Sequence, residues 1–391
     1  MPRQALQFSL FLFAYYAYGG TFNTYVPLYF ADLGMSVAQI GVLVSLSPVM
    51  RIIGPNLWGW VADRSGRRAA TLRLTASAAL LSFLVFFVAD TYLQLVLVMV
   101  LVNLFSSAQT PLSEALMISA MRGDLSHYGR LRMWGSVGFI VAVVAGGYLL
   151  QWYGVRALLP IGVALLLAVG GVSLFIHEYA APHAPHAPRE SKRPLWSVVR
   201  QPAVLAFFVS AALMCASHMA LYAFYSLYLE RAGYGKPFIG AMWALGVLAE
   251  VGFFFFQAWF FARFGARRLM LAAFALAVLR FIATGAAPDV LWVLVLAQLL
   301  HAASFATHHS AAVMVMQRWF AGARQASGQA LYMSVGYGVG CTAGGLLLTA
   351  CWDSIGPERM YYVAAGLAAA GGVAAWYSFR VQDRQAAAGV T

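Results

Sequence analysis

The chain has 391 residues, of which 62% are hydrophobic and 10% are charged, and its formal net charge is +12 at pH 7. Soluble domains average roughly 45–50% apolar and about 25% charged residues. The composition therefore excludes a disordered chain and a soluble multidomain enzyme, and it indicates a polytopic membrane protein. The basic residues form no continuous patch, so we expect no nucleic-acid partner.

Long apolar runs separated by short polar breaks predict twelve membrane-spanning helices. A hydrocarbon core of about 30 Å needs roughly 20 apolar residues per helix. Twelve such helices leave only short loops and tails, so the function must reside inside the helix bundle. The predicted class is an all-α membrane protein, with helices at residues 6–30, 37–61, 70–90, 93–121, 132–153, 155–177, 202–230, 238–262, 268–287, 290–320, 325–352 and 356–380.

One long polar break divides these helices into two sets of six. It is rich in proline and histidine, a composition typical of a flexible linker. Its two histidines could also bind a metal, which is the less favoured interpretation. We predict an N-terminal six-helix half at residues 1–177, a cytoplasmic linker at 178–200 and a C-terminal six-helix half at 201–391.

The basic side chains predict the orientation of the chain. With the N-terminus in the cytoplasm, 18 of the 25 Lys and Arg residues fall on the cytoplasmic side, four fall on the outer side and three lie within spans. An excess of Lys and Arg in short cytoplasmic loops is the usual pattern of membrane proteins. We therefore predict a multi-pass protein with both termini in the cytoplasm.

The loop after the second span recurs after the eighth. Aligning Arg64 with Arg263 also aligns Gly66 with Gly265, at an offset of 199 residues, which is about half of the chain. Two six-helix halves with a repeated loop are typical of secondary transporters. The residues to which we assign a gating role in the first loop are Gly59, Asp63, Arg64, Gly66, Arg67 and Arg68.

This loop resembles the signature of the major facilitator superfamily, in which a small residue, an Asp and basic residues recur after the second span. The second copy is degraded, with Ala262 where the first has Asp63. The resemblance implies the major facilitator fold, in which two six-helix halves rock about a central site during alternating access.

Seven ionisable side chains interrupt the apolar spans. A charge at bilayer depth costs at least about 2.5–3.5 kcal/mol on insertion scales, so such residues normally face the bundle interior and have a partner. A role in fixing helix packing remains open for the Glu114–Arg132 pair, Arg51, His218 and His301. The seven side chains are Arg51, Glu114, Arg132, His218, Glu250, Arg280 and His301.

Helix geometry predicts which of these side chains lie at the same depth. Glu114 and Arg132 each lie nine residues from a turn near Gly123, so a rise of about 1.5 Å per residue brings them to one level as a candidate ion pair. Arg280 and His301 lie about nine and twelve residues from the turn between spans nine and ten, and we expect them at a common level too.

The buried polar groups do not follow the internal repeat, apart from Arg51 and Glu250, which occupy equivalent positions with opposite charge. This asymmetry favours a specific solute site over a structural requirement of the scaffold. The repeat maps Glu114 to Val313, Arg132 to Leu331, Arg280 to Leu81 and His301 to Val102.

Residues 111–115 and 128–139 resemble the lactose permease group. The resemblance implies that Glu114 and Arg132 form the charge pair at a solute site. In the second half, residues 278–282 and 299–301 resemble the stretches that carry the Arg and His of that group's proton-coupling cluster. These are Arg280 and His301 here, whereas the position of that group's proton-carrying Glu is occupied by Ser304.

A narrower resemblance is to the phenylpropionate permease family of the same superfamily. It runs through nearly the whole chain and implies proton-coupled uptake of a small organic solute such as an aromatic carboxylate, in the bacterial inner (cytoplasmic) membrane. The stretches that carry it are residues 128–136, 217–222, 243–251 and 298–301, with Phe305.

A carboxylate substrate needs a cation and a surface for its ring. Arg132 or Arg280 can supply a bidentate guanidinium fork, and aromatic side chains nearby can contact the ring. The predicted substrate-binding residues are Glu114, Arg132, Trp134, Phe139, His218, Tyr222, Tyr225 and Arg280.

Proton coupling needs a group that gains and loses a proton within the bundle. Glu250 is the preferred carrier, because burial favours the neutral form of a carboxyl. Glu114 is the second candidate, and His301 is the third. The expected partners are a small-molecule solute, protons and the lipid bilayer, with a monomeric chain, no cofactor, no metal and the proton gradient as the driving force.

Three other functions remain open. The Glu114–Arg132 pair would also hold the hydroxyls of a neutral sugar or nucleoside in a proton symporter. Proton-driven efflux of a drug or metabolite would use the same scaffold in the opposite direction. An intramembrane enzyme is the least favoured, because the sequence contains no His-Glu-x-x-His, Gly-x-Ser-x-Gly or phosphate-loop motif.

Overall fold

The structure is a computed structural model, and it describes residues 3–121, 128–179, 195–320 and 324–387. Ten helices of these residues are long and apolar enough to cross a membrane. One of them contains two spans joined at a bend, and the first helix, Arg3–Asp32, adds a further 30 residues. The described residues thus supply twelve spanning segments, as the apolar runs predicted. The predicted turn near Gly123 and residues 180–194 of the predicted linker lie outside the described residues.

The helices before the linker begin and end close to the predicted boundaries. Two of them start at capping boxes, formed by Ser36 with Gln39 and by Thr91 with Gln94. In each box the two side chains accept hydrogen bonds from backbone N–H groups that the first turn of the helix leaves unpaired. They are α1 (Arg3–Asp32), α2 (Val37–Ser65), α3 (Arg68–Leu84), α4 (Tyr92–Ser106), α5 (Gln109–Ala120), α6 (Tyr128–Tyr153) and α7 (Leu158–Ser173).

The helices after the linker contain two π-helical segments, Ala302–Ala306 and Met333–Gly340. The longest helix bends at Gly265, whose φ of 74° is the left-handed region that glycine adopts without strain. The helices are α8 (Leu195–Val199), α9 (Pro202–Tyr222), α10 (Tyr225–Arg231), α11 (Lys236–Ala286), α12 (Leu291–His301), α13 (Thr307–Trp319), α14 (Gln325–Tyr332), α15 (Cys341–Ile355) and α16 (Pro357–Ala387).

Several predicted spans are less regular than we expected, including the span at 325–352, which contains the π segment Met333–Gly340. The span predicted at 93–121 is two helices, α4 and α5, and the span at 202–230 is divided into α9 and α10. The span at 290–320 contains the π segment Ala302–Ala306, in which the Thr307 hydroxyl donates to the carbonyl of Ala302 at 3.3 Å. The spans were predicted from hydropathy, which does not depend on backbone geometry. Hydropathy therefore could not reveal these local departures from a regular α-helix.

The helices cluster into two compact units. The first contains α1 to α7, together with α10 and the beginning of α11 up to Ala244. In this unit α1 packs along α6 and α7, and a core at one end is formed around Phe8, Phe11, Leu72 and Leu116. A hydroxyl contact joins two of the elements, because Tyr25 on α1 donates to the carbonyl of Val143 on α6 at 2.8 Å.

The second unit contains α8, α9, the remainder of α11 from Leu245, and α12 to α16. Its central element is α9, which packs against α16, α15 and the second π segment. The division of the chain at residues 178–200 remains a prediction from the internal repeat. Residues 224–244, which follow the predicted linker, cluster with the first unit.

Small residues allow α15 to approach α9 closely. A Cβ atom added at Gly340 would lie 2.5 Å from the carbonyl oxygen of Ala212, and one at Gly344 would lie 2.3 Å from Cα of Ala216. Small residues four positions apart on both helices are the usual means of close packing in membranes.

We expect the Gly344→Leu variant to lose thermal stability, because its side chain would force α15 away from Ala216. Overpacking of this kind costs about 1–3 kcal/mol or more, which thermal unfolding in detergent would report as a lower midpoint. The matched control is Gly366→Leu on α16, where an added Cβ meets nothing within 4 Å. Equal midpoints for the two variants would contradict this account of the packing.

Candidate functional site

A network of buried polar side chains lies within the second unit. Glu250 and Arg280 lie on the two arms of α11, each 15 residues from the bend at Gly265. Because the bend reverses the chain, a constant rise per residue brings both side chains to a similar depth. His301, the last residue of α12, lies between them.

Glu250, His301 and Arg280 form a continuous chain of contacts. Nε2 of His301 is 2.7 Å from Oε1 of Glu250, and Nδ1 of His301 is 2.9 Å from a terminal nitrogen of Arg280. Arg280 is only 2% exposed, whereas the side chain of Glu250 is 17% exposed. The carboxylate is thus the more accessible end of the network.

The hydrogen bonds determine the protonation state of His301. A guanidinium only donates hydrogen bonds, so Nδ1 of His301 must accept from Arg280 and carries no proton. The ring proton is therefore on Nε2, which donates to Glu250. A proton added to His301 would place two cations in contact at 2.9 Å. In this arrangement Glu250, not His301, is the group that can take up a proton.

Arg280 also contacts other polar groups in the same unit. It donates to Oε1 of Gln298 at 2.8 Å and lies 3.5 Å from the hydroxyl of Ser304. The Ser304 hydroxyl in turn lies 3.5 Å from Nε2 of His218. Ser304 thus connects His218 to the network, and these contacts satisfy several of the five N–H donors of the buried guanidinium.

An aromatic cluster covers one side of this network. Phe305 stacks on His301 with ring centres 5.3 Å apart and planes 8° apart, and the ring of His309 stacks on Phe305 from the other direction at 6.4 Å. Tyr222 meets Phe305 edge-on at 6.2 Å. His301, Phe305 and His309 are four residues apart and therefore lie along one face of the span, which passes through the π segment Ala302–Ala306.

The first unit contains a second polar cluster. Nε of Arg132 on α6 is 3.1 Å from Oε1 of Glu114 on α5, so the two residues are in contact as their spacing predicted. The guanidinium also lies 4.6 Å from the ring centre of Tyr16, a cation–π contact. Arg51 is exposed on α2 and contributes with Arg132 and Glu114 to the electrostatic environment of Tyr16.

This second cluster is more open than the first. The side chains of Arg132 and Glu114 are 37% and 27% exposed, so both can contact a solute. Their roles as substrate-binding groups remain predictions, as do the roles of His218 and Arg280 in the second unit.

The structure does not bring all of the nominated aromatic residues together. Trp134 is two positions from Arg132 on α6, which places it on a different face of that helix, and it is exposed. Phe139 lies seven positions from Arg132 and packs against Gly20. Tyr225 is buried in the first unit beside Trp243.

Tyr222 and Tyr225, which we predicted on one helix, fall into different units. The chain leaves the helical path at Ala223 and Phe224, between α9 and α10. Tyr222 therefore remains with His218 in the second unit, where their rings lie 6.2 Å apart.

The predicted gating loop contains a turn at Gly66 and an ion pair formed by Arg68. Gly66 ends α2 with φ of 65°, in the left-handed region that suits glycine. Nε of Arg68 lies 3.0 Å from Oε1 of Glu178, and Oε2 of Glu178 accepts from the backbone N–H of Ala69 at 2.8 Å. A carboxylate at this position is favoured by the partial positive charge of the α3 N-terminus.

The second half repeats this arrangement at the predicted offset. Gly265 also has a positive φ, and Arg267, the repeat equivalent of Arg68, donates to both carboxylate oxygens of Asp383 at 2.9 and 2.7 Å. We call these two ion pairs, Arg68–Glu178 and Arg267–Asp383, the arginine–carboxylate clasps. In each half the clasp joins the start of the third span to the end of the sixth.

The other residues of the first loop lie at the surface. Asp63 and Arg67 are exposed, Gly59 is half-buried, and the guanidinium of Arg64 lies 5.5 Å from the ring centre of Trp60. The carboxylate that pairs with Arg68 belongs to Glu178 and not to Asp63 of the loop. Their assignment to gating remains a prediction.

Sequence reasoning missed several residues of the two clusters. Gln298 is a polar residue in an apolar run, a signal that was available. Phe305 carried the family resemblance but was not nominated as a site residue. Tyr16 carries no such signal, because it is one aromatic residue among many in a chain with 15% aromatic content. The contact between Glu250 and His301 joins different spans, so no spacing within one turn predicts it.

Comparison with known proteins identifies the family. A family model described as the MFS_1 like family matches residues 5–363. The chain belongs to this family. It is also similar to the Probable 3-phenylpropionic acid transporter of Escherichia coli (strain K12), with 32% identity over 83% of this chain and 85% of the relative.

More distant relatives are transporters as well. The Maltose permease of Geobacillus stearothermophilus is 26% identical over 91% of this chain and 90% of its own length. A crystal structure of the nucleoside transporter NupG superposes with a TM-score of 0.81, at 18% identity, over 96% of this chain and 99% of that chain. This likeness confirms the predicted fold.

The chain is therefore a secondary transporter of the major facilitator type and not an enzyme, as the internal repeat and the absence of catalytic motifs predicted. It is a multi-pass membrane protein that acts on a small-molecule solute.

Proposed function

We propose that this transporter is a proton-coupled symporter of a small organic acid, with an aromatic carboxylate of the phenylpropionate kind as the substrate class. The observation that supports this most directly is the contact of Glu250 through His301 to the buried Arg280. The relative from Escherichia coli, whose name specifies 3-phenylpropionic acid, supports the same class.

The network couples a proton to an anion through its net charge. With Glu250 ionised, the carboxylate balances the guanidinium of Arg280, and His301 is neutral. Protonation of Glu250 leaves one uncompensated positive charge in a medium of low dielectric constant, which is unfavourable. A substrate carboxylate restores the balance, so proton and anion are favoured together. This logic implies electroneutral symport of one proton with one monovalent anion.

Exposure distinguishes the roles of the two arginines. Arg280 is 2% exposed and is held by Gln298 and His301, which suits a residue that sets the charge of the network. Arg132 has a side chain 37% exposed, so part of its guanidinium is accessible to a solute even though Nε pairs with Glu114. We assign direct contact with the substrate carboxylate to Arg132.

The membrane setting belongs to the same proposal. The bacterial relatives support a place in the inner membrane, and the basic residues favour an orientation with both termini in the cytoplasm. We further propose that it works as a monomer without a cofactor and that the proton gradient is its source of energy.

Transport by purified protein in vesicles with an internal pH dye tests the proposed function. With an inward proton gradient of one pH unit, electroneutral symport drives about tenfold accumulation of phenylpropionate. The internal pH falls as the acid enters, and clamping the membrane potential changes neither rate. Accumulation that responds to the membrane potential would contradict the stoichiometry. Loss of solute from loaded vesicles, driven by an inward proton gradient, would indicate efflux instead.

A neutral sugar or nucleoside is the second candidate substrate. The Glu114–Arg132 pair offers hydrogen-bond acceptors and donors together, which suits hydroxyl groups better than an isolated cation does. Relatives named for maltose and for nucleosides agree with this class. Uptake of labelled maltose or uridine, with no uptake of phenylpropionate in the same vesicles, would indicate that the substrate is a neutral solute and not an organic acid.

A further inference from the structure

His309 is a histidine of the second unit that the mechanism above does not use. It lies on α13, two turns beyond His301, at a half-buried position. Nδ1 of His309 lies 3.0 Å from the hydroxyl of Tyr337 and 3.4 Å from that of Tyr332. A histidine held by two hydroxyls inside a membrane protein has a defined ring orientation and a group that can stabilise its charged form.

Accessibility separates His309 from the other described histidines of this unit. His218, His301 and His308 are each at most 5% exposed, whereas His309 is half-buried. His301 is already held neutral by Arg280, and His308 packs edge-on against Phe274. Among these residues, His309 is the one positioned to exchange a proton with water.

His309 also lies within electrostatic reach of Glu250. The polar faces of the two helices continue together beyond the Glu250–His301 contact, because Ser310 on α13 donates to Oε1 of Gln257 on α11 at 3.3 Å. Gln257 lies two helical turns beyond Glu250, and α13 continues the span of α12 beyond His301, so this second contact follows the first along the same two spans. Polar contacts therefore extend from Glu250 toward the end of α13.

We propose that His309 accepts the proton that Glu250 releases and passes it on toward the cytoplasm. The inference rests on the proposed proton coupling and on the predicted orientation, in which α13 runs to the cytoplasmic side. The proton leaves the carboxyl of Glu250 and binds to Nε2 of His309. The carboxylate that remains accepts from His301 as before, and the imidazolium of His309 then loses the proton to water, so that proton and charge are conserved.

Tyr337 permits both states of His309. A hydroxyl can donate or accept, so Tyr337 accepts from Nδ1–H when Nε2 is the free acceptor, and it continues to accept when the ring is protonated. The titratable and charged groups that face His309 are Glu250 from α11, Tyr332 from α14, Tyr337 from the second π segment and His308 from its own helix. Glu250 is the only acid among them, which makes it the donor.

The first test compares His309→Gln with the matched variant His308→Gln. We expect His309→Gln to lower the initial rate of proton-driven net uptake in vesicles by at least about tenfold, since a positioned proton-transfer group typically contributes about 10²–10⁴-fold. Exchange of internal for external substrate, which needs no proton release, should remain within about twofold of wild type. The His308→Gln control, one residue away and outside the network, should retain both activities.

The second test uses chemical rescue, which a purely structural role of His309 would not allow. The His309→Ala variant should recover net uptake when imidazole is present inside the vesicles, since free imidazole can take the proton from Glu250. The pH dependence of the rescued rate should follow the titration of added imidazole. A lack of rescue in a variant that still exchanges substrate would overturn the relay.

Comparison with Glu250→Gln separates the two proposals. Normal net uptake by both His309 variants, together with failure of Glu250→Gln to accumulate substrate, would overturn the relay alone. Normal accumulation by Glu250→Gln would overturn the coupling at Glu250 and the relay with it. Loss of net uptake in all three variants, with imidazole rescue of His309→Ala, would support both.

Discussion

The Glu250→Gln variant is expected to lose proton-driven accumulation while it retains exchange of substrate across the membrane. The amide of Gln accepts from Nε2 of His301, as the carboxylate does at 2.7 Å, but it neither binds nor releases a proton. The network around Arg280 then keeps one fixed positive charge, which favours the anion-bound state throughout the cycle. Vesicles that carry this variant should show an internal-to-external substrate ratio of about one under a gradient of one pH unit, against about ten for wild type.

The control for this prediction is Glu358→Gln. Glu358 lies exposed in the first turn of α16. Its substitution by Gln removes the same charge and leaves the network unchanged. It should accumulate substrate as wild type does. If Glu250→Gln concentrates solute against a gradient, the proton carrier is another group, and Glu114 is the next candidate to replace.

The Arg132→Ala variant is expected to lose substrate binding. It removes the guanidinium fork, and it leaves the partly buried carboxylate of Glu114 without the partner that lies at 3.1 Å. Without its partner, the carboxylate of Glu114 carries an uncompensated negative charge, which repels the substrate anion. We expect the Kd for phenylpropionate to rise by at least about 100-fold, in line with the 2–5 kcal/mol typical of truncating one member of such a pair.

A double variant separates the lost contact from the new repulsion. Glu114→Gln with Arg132→Ala removes the repelling carboxylate, so any affinity that it recovers relative to Arg132→Ala measures the repulsion. Arg130→Ala is the matched control, since Arg130 is exposed on the same helix two positions away. Unchanged affinity of Arg132→Ala in an equilibrium binding assay would remove this ion pair from the substrate site.

The fold was largely predictable because lipid imposes a simple rule. Spanning segments must be apolar and helical to satisfy their backbone, so the composition and the twelve apolar runs led directly to the fold class. The repeated loop then predicted two halves, and the positive φ of both Gly66 and Gly265 agrees with the alignment that revealed it. The breaks at Ser107 and Ala223 were not predicted, because each lies inside a segment whose overall hydropathy is that of an unbroken span.

The candidate site was predictable only where one turn connects the partners. Equal distances from a turn were enough to place Glu114 beside Arg132, and a similar argument placed Arg280 near His301. The contact of Glu250 with His301 depends on the packing of α11 against α12 and on the depth that the bend at Gly265 sets. Charge at bilayer depth showed that Glu250 needs a partner, but three-dimensional packing selects which partner it has.

Aromatic residues were the least predictable part of the site. Of the four that we nominated, Tyr222 lies in the cluster around Phe305, Trp134 faces away from Arg132, and Tyr225 is buried beside Trp243. The reason is physical, since an aromatic ring in an apolar span can face lipid, core or solute at little difference in free energy. Tyr16, which contacts Arg132, was overlooked for the same reason.

The arginine–carboxylate clasps have a practical consequence for redesign of the transporter. Both clasps lie near the loops that join the spans, whereas Glu114, Arg132 and Glu250 lie within spans and have no residue of like charge at the equivalent position of the other repeat. A mutant library restricted to such positions within the spans leaves both arginine–carboxylate clasps unchanged. Carriers for new cargo can therefore be selected from this scaffold while the fastening of its helices is preserved.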